Sequence, residues 1–237
     1  MKVFIDGENL RHRLVSVFHQ EQLIGDTDDM FQADIRELVV RALGEDPESI
    51  SYYTTRIKHP KFEIPELLTQ KIATIQESHR RWIAMLTNQG IRVVKAGNLK
   101  VKESNACYHC GRRTMLLQEK GVDVRLASEI VMAAVHDNVN DIVVLSSDAD
   151  MIPALNIARR GGAHITYLCF GEETNDALVK VCDRTVAYTR EQIIHAFRGL
   201  QPRKTHNQEQ YHEHREHEEH EQHHEGHGEH GEHHECH

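Results

Sequence analysis

The hydrophobic positions of the first 200 residues alternate between short apolar blocks, typical of buried strands, and a three- and four-residue spacing, typical of helices. Strands are predicted at Lys2–Ile5, Ile50–Thr55, Asp141–Leu145 and His164–Cys169, with weaker strand-like segments at Ile91–Val94 and Leu99–Val101. Helices are predicted after the first strand and at Asp34–Leu43, Pro65–Leu86, Gly121–Val135, Asn175–Val181 and Arg190–Arg198, and another helix follows the turn at Ser146–Asp150 and runs through Arg160. This alternation predicts an α/β domain with a parallel sheet and helices on both faces.

The composition changes this picture little. Hydrophobic residues make up 39% of the 237 residues and charged residues 27%, which is typical of a globular protein with a core. The longest apolar runs, such as Ile142–Leu145, are far shorter than the roughly 20 residues of a membrane-spanning helix. A secretory signal pattern is not visible either, so we expect a cytoplasmic protein without a membrane partner.

The last 35 residues have a different composition. Arg203–His237 contains ten Glu, three Lys or Arg and twelve of the twenty His, and it accounts for most of the net charge of −9. Such a segment buries too little apolar surface to fold, so we predict a domain over residues 1–202 and a disordered tail over residues 203–237. Imidazoles interleaved with carboxylates predict Ni²⁺ or Zn²⁺ binding by the tail. A solubilising tail that binds metal incidentally is the alternative.

Four carboxylates lie at the ends of predicted elements. Asp6 ends the first strand, Asp148 and Asp150 follow a later buried strand, and Asp123 opens a helix. Because the carboxyl ends of parallel strands open on one edge, these acids can meet in a cleft where the strand order reverses. Their mutual repulsion favours either proton uptake or a divalent cation, and oxygen ligands suit Mg²⁺ or Mn²⁺. Such cations activate water for in-line displacement at phosphorus, whereas the alternative role of each acid is to cap a turn or helix.

Three ordered motifs carry a family resemblance: Val3–Leu10 (VFIDGENL), Lys120–Leu126 (KGVDVRL) and Val144–Leu155 (VLSSDADMIPAL). Together they resemble the NYN domain family, the LabA-like branch of the PIN-domain nucleases. The resemblance covers about residues 1–200. It implies a three-layer α/β/α PIN-like fold with a central, mostly parallel sheet and a metal-dependent ribonuclease site acting on RNA, with single-stranded RNA the expected form.

The resemblance also implies roles for single residues. Asp6, Asp123, Asp148 and Asp150 match the catalytic, metal-binding acids, and Asn9 matches the asparagine three residues after the first acid. The Asn9 amide is expected either to orient a ligand or phosphate or to cap the helix. Ser147 is expected either to bond a ligand carboxylate or to serve as a turn residue, and Glu173–Asp176 to start a helix, with a place beside the cleft as the alternative. Helix geometry turns Glu129, six residues after Asp123, away from the site.

Positive charge concentrates between residues 56 and 113. Four arginines of this section, Arg80, Arg81, Arg112 and Arg113, are predicted to contact the phosphates of RNA. Ordinary solvated surface is the alternative.

The five cysteines are an odd number without a disulfide-framework spacing. Cys107 and Cys110, in a predicted loop insertion over residues 103–113, have the spacing of half a zinc site. Another Cys, a His, the tail or a second subunit would have to complete it, so a homodimer and a plain thiol-bearing loop both stay open.

The leading hypothesis is therefore a divalent-metal-dependent ribonuclease. The alternatives are a non-cleaving RNA-binding or regulatory module and a metal-handling protein acting through the tail. A phosphatase with an aspartyl nucleophile is disfavoured, because such sites usually carry Asp-x-Asp whereas Asp6 is followed by Glu8.

Overall fold

The computed structural model describes residues 1–24, 32–58, 64–103, 110 and 115–198. The strands are β1 (Lys2–Asp6), β2 (Ser49–Arg56), β3 (Arg92–Glu103), β4 (Met115–Lys120), β5 (Asp141–Leu145), β6 (His164–Phe170) and β7 (Arg184–Tyr188). The helices are α1 (Gly7–Gln20), α2 (Ile35–Leu43), α3 (Glu66–Asn88), α4 (Val122–Val135), α5 (Ile152–Arg160), α6 (Asp176–Val181) and α7 (Arg190–Arg198), and a 3₁₀ turn at Ala149–Met151 precedes α5.

The strands form one sheet in the order β4-β3-β2-β1-β5-β6-β7. Every neighbouring pair is parallel except β3 and β4, which are antiparallel. The chain builds one half of the sheet outward from β1 and then returns to place β5 on the other side of β1. The parallel pairings confirm the predicted, mostly parallel sheet. The strand order reverses between β1 and β5, which places a crevice at the carboxyl ends of these two strands.

Two hydrophobic cores cover the two faces of the sheet. One is formed by α1, α2, α3 and α7, and includes Leu14, Leu38, Trp82 and Phe197. The other is formed by α4, α5 and α6, and includes Ile130, Leu155 and Leu178. Helices thus lie on both faces of a central sheet, which confirms the three-layer α/β/α architecture.

Local signals set both ends of α2. The Asp34 carboxylate accepts a hydrogen bond from the Glu37 N–H at 2.9 Å and so caps the start of α2. Gly44 ends the same helix with a φ of 78°, a left-handed conformation that glycine adopts without strain.

Three features differ from the sequence-based prediction. The two strand-like segments after α3 are one strand, β3, whose register with β2 shifts at Thr54/Thr55. β4 and β7 were not predicted, because their side chains lack a clear apolar alternation; β7, for example, is exposed at most positions. On α4 the helical spacing predicts a buried stripe of Ala127, Ile130, Val131 and Ala134. The buried residues are instead Val122, Leu126, Ile130, Ala133 and Ala134, and Ala127 and Val131 are only partly buried.

The chain divides into two units, Met1–Leu200 and Gln201–His237. The predicted disordered tail at residues 203–237 lies outside the described residues. Of the helices that the structure describes, none is long and apolar enough to cross a membrane.

Candidate active site

A cleft of about 420 Å³ opens at the carboxyl edge of the sheet, where β1 and β5 end. Its walls come from the first turns of α1, the start of α4 and the loop after β5. The residues that line it are Asp6, Glu8, Asn9, His12, Arg13, Val122, Asp123, Ser147 and Asp148. Residues more than 140 positions apart in sequence therefore share one site.

Asp6 lies at the base of this cleft and is only 8% exposed. Its Oδ1 accepts the Asn9 N–H at 3.2 Å, which caps α1, and its Oδ2 accepts the Ser146 hydroxyl at 2.9 Å. Burial raises the pKa of Asp6 above its usual value of 3.8, and the negative charges of Asp123 and Asp148 raise it further, against the opposing effect of the two hydrogen bonds.

Ser146 connects Asp6 to the loop after β5. It is 2% exposed, and its Oγ also accepts the Asp148 N–H at 3.1 Å. The chain of hydrogen bonds from Asp148 through Ser146 to Asp6 holds two acids of the cleft in a fixed relation. Of the two roles expected of Ser147, the bond to an acid belongs instead to Ser146, whereas the exposed Ser147 hydroxyl accepts the Asn9 amide.

Asp123 enters the cleft from the first turn of α4. The hairpin of β3 and β4 makes this possible: β4 returns the chain so that Lys120 pairs with Asn98, and α4 begins two residues later. Gly97 is needed for that close approach, because a Cβ there would lie 2.4 Å from the Lys120 carbonyl oxygen. Partial burial and the charges of Asp148 and Asp150 raise the pKa of Asp123.

Asp150, the fourth predicted acid, is exposed and is not among the residues that line the cleft. Its N–H donates to Asp148 Oδ1 at 2.9 Å, so Asp148 caps the 3₁₀ turn in which Asp150 lies. Asp6, Asp123 and Asp148 thus share the cleft, while Asp150 acts on Asp123 through its charge.

Asn9 lines the cleft from the first turn of α1. Its side-chain amide donates to the Ser147 hydroxyl, and the helix cap is supplied by Asp6 instead. The Asn9 side chain therefore connects α1 to the loop after β5. Of the two roles expected for it, the helix-capping role is wrong.

The predicted flanking segment supports the cleft from the side of β6. Asn175 caps α6, and its amide donates to the Ser147 carbonyl oxygen at 2.8 Å. Glu173 forms a two-bond ion pair with Arg13, whose guanidinium lies 5.2 Å from the centre of the Phe170 ring. Arg13 and His12 were not predicted from the sequence, since the one available signal was their position about one helical turn after Asn9.

The donor chemistry of the cleft fits Mg²⁺ or Mn²⁺, because carboxylates supply oxygen ligands. Burial raises the pKa of Asp6 and of Asp123, and the neighbouring carboxylates raise both further. Within the described part of the chain, however, no three His, Cys, Asp or Glu side chains are arranged closely enough to hold an ion. The acids are gathered at the cleft without forming a closed ligand cage.

The other predicted site residues lie apart from this cleft or outside the described residues. Arg80 and Arg81 are on α3, where both pair with Glu77, and neither is among the residues that line the cleft. Cys110 is an exposed free cysteine. Cys107, Arg112 and Arg113 lie outside the described residues. As expected, Glu129 points away from the cleft, and it bonds to Tyr53, Arg92 and Arg125.

Comparison with known proteins adds a family match. A sequence model of the NYN domain matches residues 1–189. Among solved structures, the chain is similar to a protein of unknown function, VPA0982, from Vibrio parahaemolyticus RIMD 2210633, with 14% identity and a TM-score of 0.45 over 78% of this chain and 90% of that chain. No curated protein matches the sequence.

Proposed function

The chain belongs to the NYN domain family, and from this membership and the acidic cleft we propose that it is a divalent-metal-dependent ribonuclease that hydrolyses RNA phosphodiester bonds. Its PIN-like fold is that of a nuclease family, so nucleic acid is the expected class of partner. The observation that carries the proposal is the meeting of Asp6, Asp123 and Asp148 in one cleft at the point where the strand order reverses.

The residues of the cleft have separate tasks in this proposal. Asp6, Asp123 and Asp148, with Asp150 beside them, would hold Mg²⁺ or Mn²⁺. The bound cation would supply positive charge to the phosphate under attack and to the water that attacks it. Ser146 holds the Asp6 carboxylate in place, and Asn9 ties α1 to the loop that carries Asp148.

Arg13 and His12 face the same cleft and would interact with the RNA. The Arg13 side chain is 17% exposed and is fixed by Glu173 and Phe170, so its cation is held at the wall of the cleft. A fixed cation beside an acidic floor would favour a phosphate in a defined position. We further propose that the enzyme acts on single-stranded RNA in the cytoplasm.

A cleavage assay on end-labelled single-stranded RNA tests the proposal. Mn²⁺ or Mg²⁺ should support cleavage and EDTA should abolish it. Asp148→Asn should lower the rate at least about a hundredfold, the usual scale for losing a key electrostatic group, while the protein stays folded.

The matched control is Asp137→Asn. Asp137 is an exposed acid just after the end of α4, roughly 20 Å along the helix from Asp123. This variant should cleave like the parent protein. Cation-dependent cleavage that survives unchanged in folded Asp148→Asn would refute the proposed site.

One observation favours a second candidate function, a non-cleaving RNA-binding or regulatory module. Among the described residues, the acids are not close enough together to form a ligand group. Such a module would retain labelled RNA without producing shorter products at any Mn²⁺ concentration, and the same assay separates the two functions.

A further inference from the structure

A second cavity, of about 490 Å³, lies between β3 and α4. Four positively charged residues line it, Arg56, Arg92, Lys95 and Arg125, together with a single carboxylate, that of Glu129. The lining therefore has a formal excess of three positive charges, in a chain whose net charge is −9. An excess of this kind attracts anions to the cavity.

Two of the arginines are held in place by neutral acceptors. The Arg92 Nε–H donates to the Ser51 hydroxyl at 3.0 Å, and the Arg56 Nε–H donates to the Lys95 carbonyl oxygen at 2.9 Å. A guanidinium has five N–H donors in a planar fork that matches phosphate oxygens. A hydrogen bond from one of these donors to a neutral group orients the guanidinium. Because the acceptor is neutral, this bond does not compensate the positive charge of the guanidinium.

Glu129 lies between Arg92 and Arg125 and binds both. Its carboxylate, 18% exposed, accepts hydrogen bonds from Arg92 at 2.7 Å, from Arg125 at 2.6 Å and from the Tyr53 hydroxyl. Burial alone would raise the pKa of Glu129, but these three hydrogen bonds outweigh it and lower the pKa. Glu129 is therefore an anion already bound by the pair of arginines that a phosphate would use.

The cavity and the acidic cleft share α4. Arg125 lies two residues after Asp123, so the first turns of this helix present an acid to the cleft and a cation to the cavity. The cavity and the cleft therefore both take part of their lining from the first turns of α4. Neither Arg92 nor Arg125 was selected by the sequence analysis, because charge clusters along the chain do not show which cations meet in space.

We propose that this cavity binds the phosphodiester backbone of single-stranded nucleic acid, and that Glu129 competes with phosphate for Arg92 and Arg125. The identification of the strand as RNA rests on the proposed ribonuclease function. The binding itself does not, since it needs only phosphate groups.

Binding is measured by fluorescence anisotropy with a labelled 20-nucleotide oligouridylate, in EDTA and over a series of salt concentrations. Without the cation no cleavage takes place, so failure of this test is distinct from failure of the ribonuclease proposal. The variant Arg92→Gln/Arg125→Gln should bind at least about tenfold more weakly at low salt. Its plot of log K against log salt should be less steep by about 1.4, because two phosphate contacts to a single strand are lost.

Glu129→Gln should act in the opposite direction, with affinity rising by about threefold or more at low salt as both arginines gain capacity for phosphate. Single-stranded DNA of matching length should show a similar salt dependence, because contacts to phosphate do not read the sugar. Binding by Glu129→Gln that is equal to or weaker than the parent's would overturn the competition.

The matched control is Arg36→Gln/Arg41→Gln on α2. These arginines are likewise paired with carboxylates, Asp46 and Glu37, but lie outside the cavity lining. The Arg36→Gln/Arg41→Gln variant should bind the oligouridylate with the affinity of the parent protein. If Arg92→Gln/Arg125→Gln does not fold, Arg125→Gln alone takes its place in the test, because the Arg125 side chain is 59% exposed. Parent affinity and salt dependence in the folded arginine variants would refute the assignment of the cavity.

Discussion

Replacing Ser146 with alanine should destabilise the protein and weaken its candidate active site through a single hydroxyl. The Ser146 Oγ is buried, donates to Asp6 Oδ2 at 2.9 Å and accepts the Asp148 N–H at 3.1 Å. Alanine removes both hydrogen bonds and leaves the backbone free to keep its conformation. The Asp6 carboxylate, 8% exposed, then has little water to replace the lost donor.

The expected cost follows from the charge of the acceptor. A hydrogen bond to an ionised group contributes about 1.5–3 kcal/mol to stability, and an unsatisfied buried group costs a similar amount. With a urea m-value of about 2 kcal/mol/M, the unfolding midpoint of Ser146→Ala should fall by roughly 1 M. The RNA cleavage rate should fall as well, because Asp6 is no longer fixed relative to Asp148.

The effect should depend on pH in a defined direction. Burial raises the folded-state pKa of Asp6 above 3.8, so the folded protein holds this proton more tightly than the unfolded chain does. The contribution of Asp6 to stability therefore falls as the pH rises from 3.8 through the raised pKa. Ser146→Ala raises that pKa further, so the stability difference from the parent should be small near pH 3 and grow towards pH 7.

Urea unfolding of the parent and variant at pH 3, 5 and 7 measures this difference. Ser147→Ala is the matched control, since the exposed Ser147 hydroxyl accepts a hydrogen bond from the neutral Asn9 amide, and this substitution should cost less than about 1 kcal/mol at every pH. Equal costs for the two serine variants, or a Ser146→Ala cost that does not change with pH, would refute the reasoning.

Two further predictions concern other parts of the chain. Deleting Arg203–His237 should leave thermal stability and Mn²⁺-dependent cleavage nearly unchanged. The same deletion should remove most Ni²⁺ or Zn²⁺ binding, as measured by calorimetric titration at pH 7.5. In the full chain, metal binding should weaken below about pH 6, because protonated imidazole cannot bind a metal. Undiminished Ni²⁺ stoichiometry after the deletion would contradict the tail assignment. Arg80→Glu/Arg81→Glu should weaken RNA binding and reduce its salt dependence, as measured by anisotropy; a binding curve that overlays the parent's would remove α3 from the RNA-binding surface.

Much of the fold could be predicted because its signals are local. The continuous apolar run of β5, the Asp34 cap and Gly44 stop of α2, and Gly90 after α3 each act within a few residues. β4 and β7 could not be found in this way. Both are edge strands, and hydrogen bonding to β3 and β6 defines them more than their own side-chain pattern does.

The candidate site was predictable in part. The acids lie at element ends, and a parallel sheet brings the ends of β1 and β5 to one edge, so Asp6 and Asp148 could be expected together. The choice between Ser146 and Ser147 could not be made from sequence. Adjacent residues after a strand point in different directions, and only the packed structure shows that Ser146 turns inward to Asp6.

The sequence by itself determined the alternation of strands and helices, the family motifs and the separate composition of the tail. The tertiary structure decided which charges meet. Arg92 and Arg125 are 33 residues apart and share Glu129, whereas the adjacent Arg80 and Arg81 share Glu77 on the surface of α3. Electrostatic interactions depend on distance through space and on burial, and neither quantity can be read from positions along the chain.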